Sequence, residues 1–219
     1  LAERGVAVRV CADNRKVNAI VNCGKPLPEH EIEIVNDGGA VLPDLRIGRV
    51  LMRGPSLMEG YLNNPEATKA VFSEDGWLDT GDLGYIFENN LYLSGRRKDV
   101  IIVNGRNIRA QDLEELAEDQ SEVRMGDASA FGLNDSGEQV TVVLVVECRI
   151  SNTPQRQSLI SRLQRLVFEG FGIHCVVELV KQHTLPRTSS GKLSRVAARK
   201  GFMERADWNQ EAKSNAKRG

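Results

Sequence analysis

The pattern of apolar residues changes near residue 95, and this change constrains the chain to two units of different architecture. Upstream, short segments such as EIEIV at residues 31–35 alternate polar and apolar side chains, which predicts half-buried strands. Downstream, apolar runs rich in β-branched residues alternate with stretches of helical periodicity. The sequence therefore predicts an α+β chain with a boundary between Gly95 and Asp99.

Local signals predict the individual elements of both units. Asn64 and Pro65 have the residue types preferred at a helix N-cap and first helical position, and Ala67, Ala70 and Val71 would form the apolar face of that helix. Further strands are predicted at 47–53, 85–87, 91–93, 100–103, 128–133, 140–148 and 175–180. Further helices are predicted at 111–120, 154–170 and 194–205, followed by a frayed end.

Composition is that of an ordinary globular protein in a reducing compartment. The chain has 219 residues, 41% of them hydrophobic and 27% charged, with a net charge of −1, so no global attraction to nucleic acid or membrane is expected. Neither a membrane span nor a signal-peptide pattern is recognisable, which predicts a cytoplasmic location. The scattered cysteines show no metal-ligand spacing with the histidines, so no metal site is predicted; they are Cys11, Cys23, Cys148 and Cys175.

A single lysine, Lys192, stands out in the segment LPRTSSGKLSR at residues 185–195. Glycine and small hydroxyl residues predict a mobile loop, and all charges in it are positive, which suits a transient anion such as a carboxylate meeting a phosphate. A phosphate-binding P-loop is excluded because Pro186 stands where that motif requires glycine. The alternative is an ordinary solvated lysine.

Two more candidates lie upstream. Asp82 follows Thr80-Gly81, a predicted turn, and its carboxylate could accept hydrogen bonds from both hydroxyls of a ribose. Arg96 lies between glycine and further cations, an environment suited to phosphate or ribose oxygens. The alternatives are a turn or cap aspartate and a solvated basic turn.

Four ordered segments together resemble the adenylate-forming superfamily of acyl-CoA synthetases, peptide-synthetase adenylation domains and luciferases. They are RIGRVLMRGPS with the nearby GYL, WLDTGDLG around Asp82, GRRKD at residues 95–99, and the Lys192 segment. Three other segments are similar to the fatty acyl-AMP ligase subfamily: VNGRNI at 103–108, QDLE at 111–114 and VNCGKP at 21–26. Ala110 and Asn22 depart from the proline and serine usual in that subfamily.

The resemblance implies a domain organisation. Residues 1–95 would be the β-rich end of a large adenylation domain, and residues 96–219 a mobile small C-terminal lid domain with a short sheet flanked by helices. The family's phosphate loop and most of its acyl pocket are not in this sequence. The chain is therefore expected to be the C-terminal part of a longer ligase that requires an upstream N-terminal domain, and to be inactive alone.

The resemblance also implies a reaction and residue roles. The parent enzyme would use ATP with Mg2+, held mainly by the upstream part, to convert a fatty acid to acyl-AMP, then pass the acyl group to the phosphopantetheine of an acyl carrier protein. Such ligases serve lipid metabolism and polyketide or nonribosomal peptide biosynthesis. Lys192 would be catalytic, Asp82 and Arg96 would bind nucleotide, Lys98 would be the hinge, and Gly105 would face the pantetheine.

Three alternatives remain open at this stage. The acceptor could be coenzyme A, which would make the parent an acyl-CoA synthetase. The chain could be a non-catalytic module that binds a carrier protein or nucleotide. Two basic segments, around residues 95–109 and 181–200, could also contact nucleic acid, although they lack interleaved aromatic residues.

Overall fold

A computed structural model describes residues 5–7, 20–134 and 140–216, with side chains described up to residue 206. The chain divides into two compact units, Leu1–Val100 and Ile101–Gly219. Its mixed helix and strand content confirms the predicted α+β class. Within the described ranges, no helix is both long and apolar enough to cross a membrane.

The first unit is built on a four-stranded antiparallel sheet in which sequential strands are neighbours. The strands are β1 (Glu31–Val35), β2 (Gly48–Arg53), β3 (Leu78–Phe87) and β4 (Asn90–Arg96). Alternation of side chains along the strands directs one apolar face inward, where Ile34, Val50 and Leu91 form the buried core. The hairpin predicted around residues 88–90 is confirmed, with both strands longer than expected.

Helix α1 (Pro65–Val71) begins as predicted, but its inner face differs from the prediction. The Asn64 side chain accepts a hydrogen bond from the backbone N–H of Ala67 at 3.0 Å, as an N-cap should. Ala70 is exposed, so its predicted place on the packed face was wrong. Thr68 is half-buried instead, and its hydroxyl accepts a hydrogen bond from the N–H of Tyr61 at 2.9 Å.

The second unit contains two small sheets and three helices. One sheet pairs β5 (Val100–Val103) with β6 (Arg106–Arg109); the other has the order β7 (Ala128–Asn134), β8 (Val140–Glu147), β9 (Cys175–Val180). β7 and β8 are antiparallel, whereas β8 and β9 are parallel. The helices are α2 (Ala110–Glu118), α3 (Thr153–Phe171) and α4 (Arg195–Ala216).

Strand β8 is buried on both faces, which explains its nearly continuous run of valines. Its residues Val142, Leu144 and Val146 belong to a core cluster shared with α2 and α3. Its residues Val143 and Val145 face the other way and belong to a second cluster, which includes Leu185 and Ala198. The second cluster therefore places the start of the Lys192 loop and the first turns of α4 against the sheet.

Two elements of the second unit differ from the sequence prediction. Strand β6 was not predicted, because the four residues RNIR show no clear alternation of polar and apolar side chains. Helix α4 continues to Ala216, so the predicted helix end at residue 205 was wrong. Residues 206–216 contain no glycine or proline, and they include three alanines and one residue each of glutamate, glutamine and lysine, which favour helix.

Close packing at Gly84 in β3 generates a prediction about stability. A Cβ atom there would lie 2.6 Å from the Tyr92 carbonyl oxygen and 3.0 Å from a Val50 methyl group. We expect Gly84→Ala to lower the free energy of unfolding by about 1–3 kcal/mol, measured by urea denaturation of the chain. Gly38→Ala is the matched control, since it meets only the Asn36 side-chain oxygen, at 3.3 Å. An equal effect of both substitutions would contradict this account.

The ion pair between Glu122 and Arg162 generates a prediction about pH. The hydrogen bond from Arg162 holds the pKa of Glu122 below its ordinary value of 4.5. The folded state therefore favours the ionised carboxylate, and this stabilisation is present above pH 4.5 and lost as pH falls through the folded pKa. Because both side chains are about one-third exposed, we expect Glu122→Gln to cost only about 0.5 kcal/mol at neutral pH. The difference from wild type should shrink in acid; a difference independent of pH would count against the assignment.

Candidate functional site

The segment around Asp82 forms a bulge inside β3, not the turn that the sequence predicted. Arg49 and Leu51 of β2 are paired with Leu83 and Asp79 of β3, so residues 80–82 all lie opposite one residue of β2. Gly81 supplies the positive φ of 75° that the bulge requires. The bulge therefore lies within a single strand, and Asp82 is its last residue.

Side chains fix the bulge from both sides. The Thr80 hydroxyl donates to the Val50 carbonyl at 2.9 Å and accepts from the Asp82 N–H at 3.1 Å. The Asp79 carboxylate accepts from the Gly81 N–H at 2.9 Å and pairs with the guanidinium of Arg49 at 2.6 Å. This half-buried network holds the backbone that carries Asp82.

Asp82 and Arg96, the two predicted nucleotide ligands, face each other. They are directly paired residues of β3 and β4, and Arg96 Nε lies 3.2 Å from Asp82 Oδ1. Arg96 is 71% exposed, whereas Asp82 is only 26% exposed. The contact uses Nε of Arg96 and Oδ1 of Asp82, and the guanidinium of Arg96 stays largely exposed to solvent. The pair combines acceptor and donor groups at one point of the sheet.

Lys98 lies in a single 3-10 turn, Arg97–Asp99, which joins β4 to β5 near the end of the first unit. Its side chain is exposed. The neighbouring Arg97 donates to Asp37 at 3.0 Å, but both partners are more than half exposed, so this contact is expected to be weak.

Gly105 lies at an open turn in the second unit. Asn104 and Gly105 both have positive φ, 49° and 73°, as in the type I′ turns that join paired strands. A Cβ atom at Gly105 would meet nothing within 4 Å. The next residue, Arg106, donates to the Phe171 carbonyl at 2.9 Å, which satisfies a free carbonyl at the end of α3. The turn is thus anchored on one side and open on the other.

The Lys192 loop is closed by its own backbone. The Thr188 N–H donates to the Lys192 carbonyl at 2.8 Å, and the Gly191 N–H donates to the Thr188 carbonyl at 2.9 Å. Gly191 has a φ of 80°, a conformation that suits glycine. The Lys192 side chain is exposed, and none of the described residues bonds to its ammonium group. The loop therefore presents one unpaired cation on a hydrogen-bonded tip.

Three carboxylates that the sequence analysis did not identify as site residues form hydrogen bonds with the segment 185–195. Glu147 accepts from the Leu185 N–H at 2.6 Å, and Asp127 accepts from Arg187 at 3.0 Å. Glu114 forms a bidentate pair with Arg195 at 2.7 and 2.5 Å. The sequence shows these acids beside apolar runs, which could have indicated burial. It does not show their partners, which lie 38 to 81 positions away.

Comparisons with known proteins agree with the four motifs. A sequence model described as AMP-binding enzyme matches residues 1–62. A Caulobacter vibrioides protein provisionally named an acyl-CoA synthetase is 40% identical over 93% of this chain. A structure from a study of fatty acyl-adenylate ligases of E. coli and L. pneumophila superposes with a TM-score of 0.80, at 40% identity over 94% of this chain. The chain belongs to the adenylate-forming superfamily.

This superfamily member covers only part of its relatives. The chain spans 36% of the length of the Caulobacter protein and 36% of the solved ligase chain. A medium-chain fatty acid–acyl carrier protein ligase, JamA of Moorena producens, is 31% identical over 99% of this chain, which spans 39% of JamA. The predicted superfamily is confirmed, whereas the roles assigned to single residues stay predictions.

The Thr80 hydroxyl generates a prediction about this superfamily member. Thr80→Val removes one donor and one acceptor while keeping the shape, which leaves the Val50 carbonyl and the Asp82 N–H without their partner. We expect a loss of about 1–3 kcal/mol in the free energy of unfolding, measured by urea denaturation. Thr80→Ser keeps the hydroxyl and should cost less than about 1 kcal/mol. Equal losses would show that the hydroxyl does not hold the bulge.

Proposed function

We propose that this chain is the C-terminal part of a fatty acyl-AMP ligase, which activates a fatty acid with ATP and passes the acyl group to an acyl carrier protein. The observation that carries the proposal is the exposed, unpaired Lys192 ammonium at the tip of a loop anchored in the protein body. The names of JamA and of the similar fatty acyl-adenylate ligases support a fatty acid substrate, and that of JamA supports a carrier-protein acceptor.

In the first half-reaction, a fatty acid carboxylate attacks the α-phosphate of ATP, and pyrophosphate leaves as acyl-AMP forms. Negative charge accumulates where the carboxylate meets the phosphate, and the Lys192 ammonium would neutralise it there. A preorganised cation stabilises such a transition state more than the separated reactants. Asp82 would accept hydrogen bonds from the ribose hydroxyls, and the free guanidinium nitrogens of Arg96 would donate to ribose or phosphate oxygens.

Mg2+ would accompany ATP and reduce the charge of its phosphates. The described residues contain no group of three or more histidine, cysteine, aspartate or glutamate side chains that could hold a metal ion. We assign no Mg2+ ligand to this chain; phosphate oxygens together with residues of the upstream domain would bind the ion.

In the second half-reaction, the phosphopantetheine thiol of the carrier protein attacks the acyl carbonyl, and AMP leaves. A different face of the small domain is needed for this step, so backbone torsions near Lys98 would change between the two halves. Gly105 would then face the pantetheine, because its turn is open and carries no side chain that would obstruct a narrow arm. Anchoring of Arg106 on α3 would keep that turn in place.

Coenzyme A is the second candidate acceptor. The Caulobacter protein, which is as similar as the solved ligase, carries the provisional name of an acyl-CoA synthetase. Both acceptors present the same phosphopantetheine thiol, so the open turn at Gly105 is compatible with either. Acylation of purified carrier protein and of coenzyme A, compared at equal thiol concentration, distinguishes the two functions.

Lys192→Ala in the longer ligase tests the proposed role of this lysine. We expect formation of acyl-AMP to slow by about 10²–10³-fold, because one preorganised cation is lost from the transition state. Transfer from preformed acyl-AMP should change far less. Quenched-flow assays of the two half-reactions give both rates. The matched control is Lys200→Ala, an exposed lysine of α4 whose only described ion pair, with Glu204, spans 3.9 Å.

Equal losses in both half-reactions would contradict the role of Lys192. Unchanged formation of acyl-AMP would also contradict that role, whereas a wild-type ligase that forms no acyl-AMP from fatty acid and ATP would contradict the proposed function as a whole.

A further inference from the structure

We infer that Asp127, Glu147 and Glu114 are positioning residues for Lys192, and that Arg187 transmits this positioning to the tip of the loop. The inference rests on the proposed function. Among the residues whose side chains the structure describes, these are the three buried acids, with exposed fractions of 8%, 3% and 8%. Each of them bonds to the segment 185–195.

Because these carboxylates are buried, their contacts constrain the loop more strongly than ordinary surface ion pairs would. A carboxylate removed from water is strongly destabilising unless it is paired or hydrogen-bonded. Glu147 meets this requirement with the Leu185 N–H, and Glu114 meets it with Arg195 and the Ala130 N–H at 2.9 Å. Detaching the loop would leave Glu147 without its Leu185 partner and Glu114 with only the Ala130 N–H, so the burial of these acids favours one arrangement of the loop.

The attachment points lie on both sides of the lysine. Leu185 and Arg187 precede Lys192, whereas Arg195 follows it at the start of α4. A loop held at one end could pivot about that end, but a loop held on both sides retains little freedom. The two ends of the loop are also joined to each other. Arg187 and Leu193 form an antiparallel β-bridge, and the Ser194 N–H donates to the Pro186 carbonyl at 2.9 Å.

Arg187 connects the buried acids directly to the tip. One terminal nitrogen donates to Asp127 at 3.0 Å and to the Gly126 carbonyl at 2.6 Å. The other donates to the carbonyl of Gly191, the residue before Lys192, at 3.3 Å. Only a forked guanidinium can span these acceptors at once, because a lysine ammonium is a single compact point of charge.

The Gly126–Asp127 turn is itself held by a further acid. Glu118 of α2 accepts from the Gly126 N–H at 2.9 Å. Helix α2 thus contributes two of these contacts. Glu114 binds Arg195, which follows Lys192 in sequence, and Glu118 holds the turn that binds Arg187, which precedes it. These contacts give the loop a rigid base even though its tip is exposed.

Arg187→Lys in the longer ligase tests the inference, because it keeps the charge and removes the fork. A displacement of about 1 Å at the lysine is expected to slow acyl-AMP formation by about 10²-fold. The Michaelis constant for ATP and the rate of transfer from preformed acyl-AMP should stay within about twofold of wild type. The matched control is Arg199→Lys, an exposed α4 arginine that bonds to none of the described residues, and it should change neither rate.

Amide hydrogen exchange on the 219-residue chain gives a second readout that does not depend on activity. Arg187→Lys should speed exchange at Thr188 and Gly191 while leaving Val143 and Val145 in β8 protected. The inference is overturned if Arg187→Lys leaves exchange at the tip unchanged, or if it lowers both half-reactions equally. If the wild-type ligase forms no acyl-AMP, the proposed function fails, whereas hydrogen exchange still tests whether the contacts of Arg187 hold the loop.

Discussion

The pairing of buried carboxylates with one basic loop is the interaction on which the rest of this site depends. Glu114, Asp127 and Glu147 are held in the interior of the second unit, where water cannot solvate their charge. Each of them has a hydrogen-bond partner in the segment 185–195 that carries Lys192, so the packing of the unit and the shape of the loop depend on each other. A cation placed in this way can be exposed and still have a defined position.

The core explains why the acids lie where they do. Strand β8 is covered on both faces, by α2 and α3 on one side and by the start of α4 on the other. Glu147 is its last residue, and its carboxylate accepts a hydrogen bond from the N–H of Leu185, which packs on the α4 side of the sheet. Packing of apolar side chains thus buries the carboxylates. The hydrogen bonds of these carboxylates then favour one arrangement of the loop over others that the apolar core alone would allow.

The sequence was most informative about elements that are determined locally. The alternation in EIEIV, the Asn64 cap and the valine run of β8 each predicted an element that the structure contains. Local chemistry also singled out Lys192 as a lone cation among glycine and hydroxyl residues. Strand positions, helix starts and the superfamily could therefore be predicted, since each depends on residues that are close together in sequence.

Contacts between distant segments were not accessible in the same way. Glu114 and Arg195 are 81 positions apart, and Asp127 and Arg187 are 60 apart, so no local pattern pairs them. The bulge at Gly81 was misread as a turn because its shape depends on the register between β2 and β3. Such features follow from tertiary packing and strand register, which a single sequence does not encode in any local signal.

Exchange of radiolabelled pyrophosphate into ATP, catalysed by the longer ligase that we propose contains this chain, tests the account most directly. The account predicts exchange that requires a fatty acid, because only formation and reversal of acyl-AMP can return the label to ATP. The chain alone should give background exchange. Absence of exchange with fatty acids of every chain length, from a folded enzyme that binds ATP, would contradict the central claim.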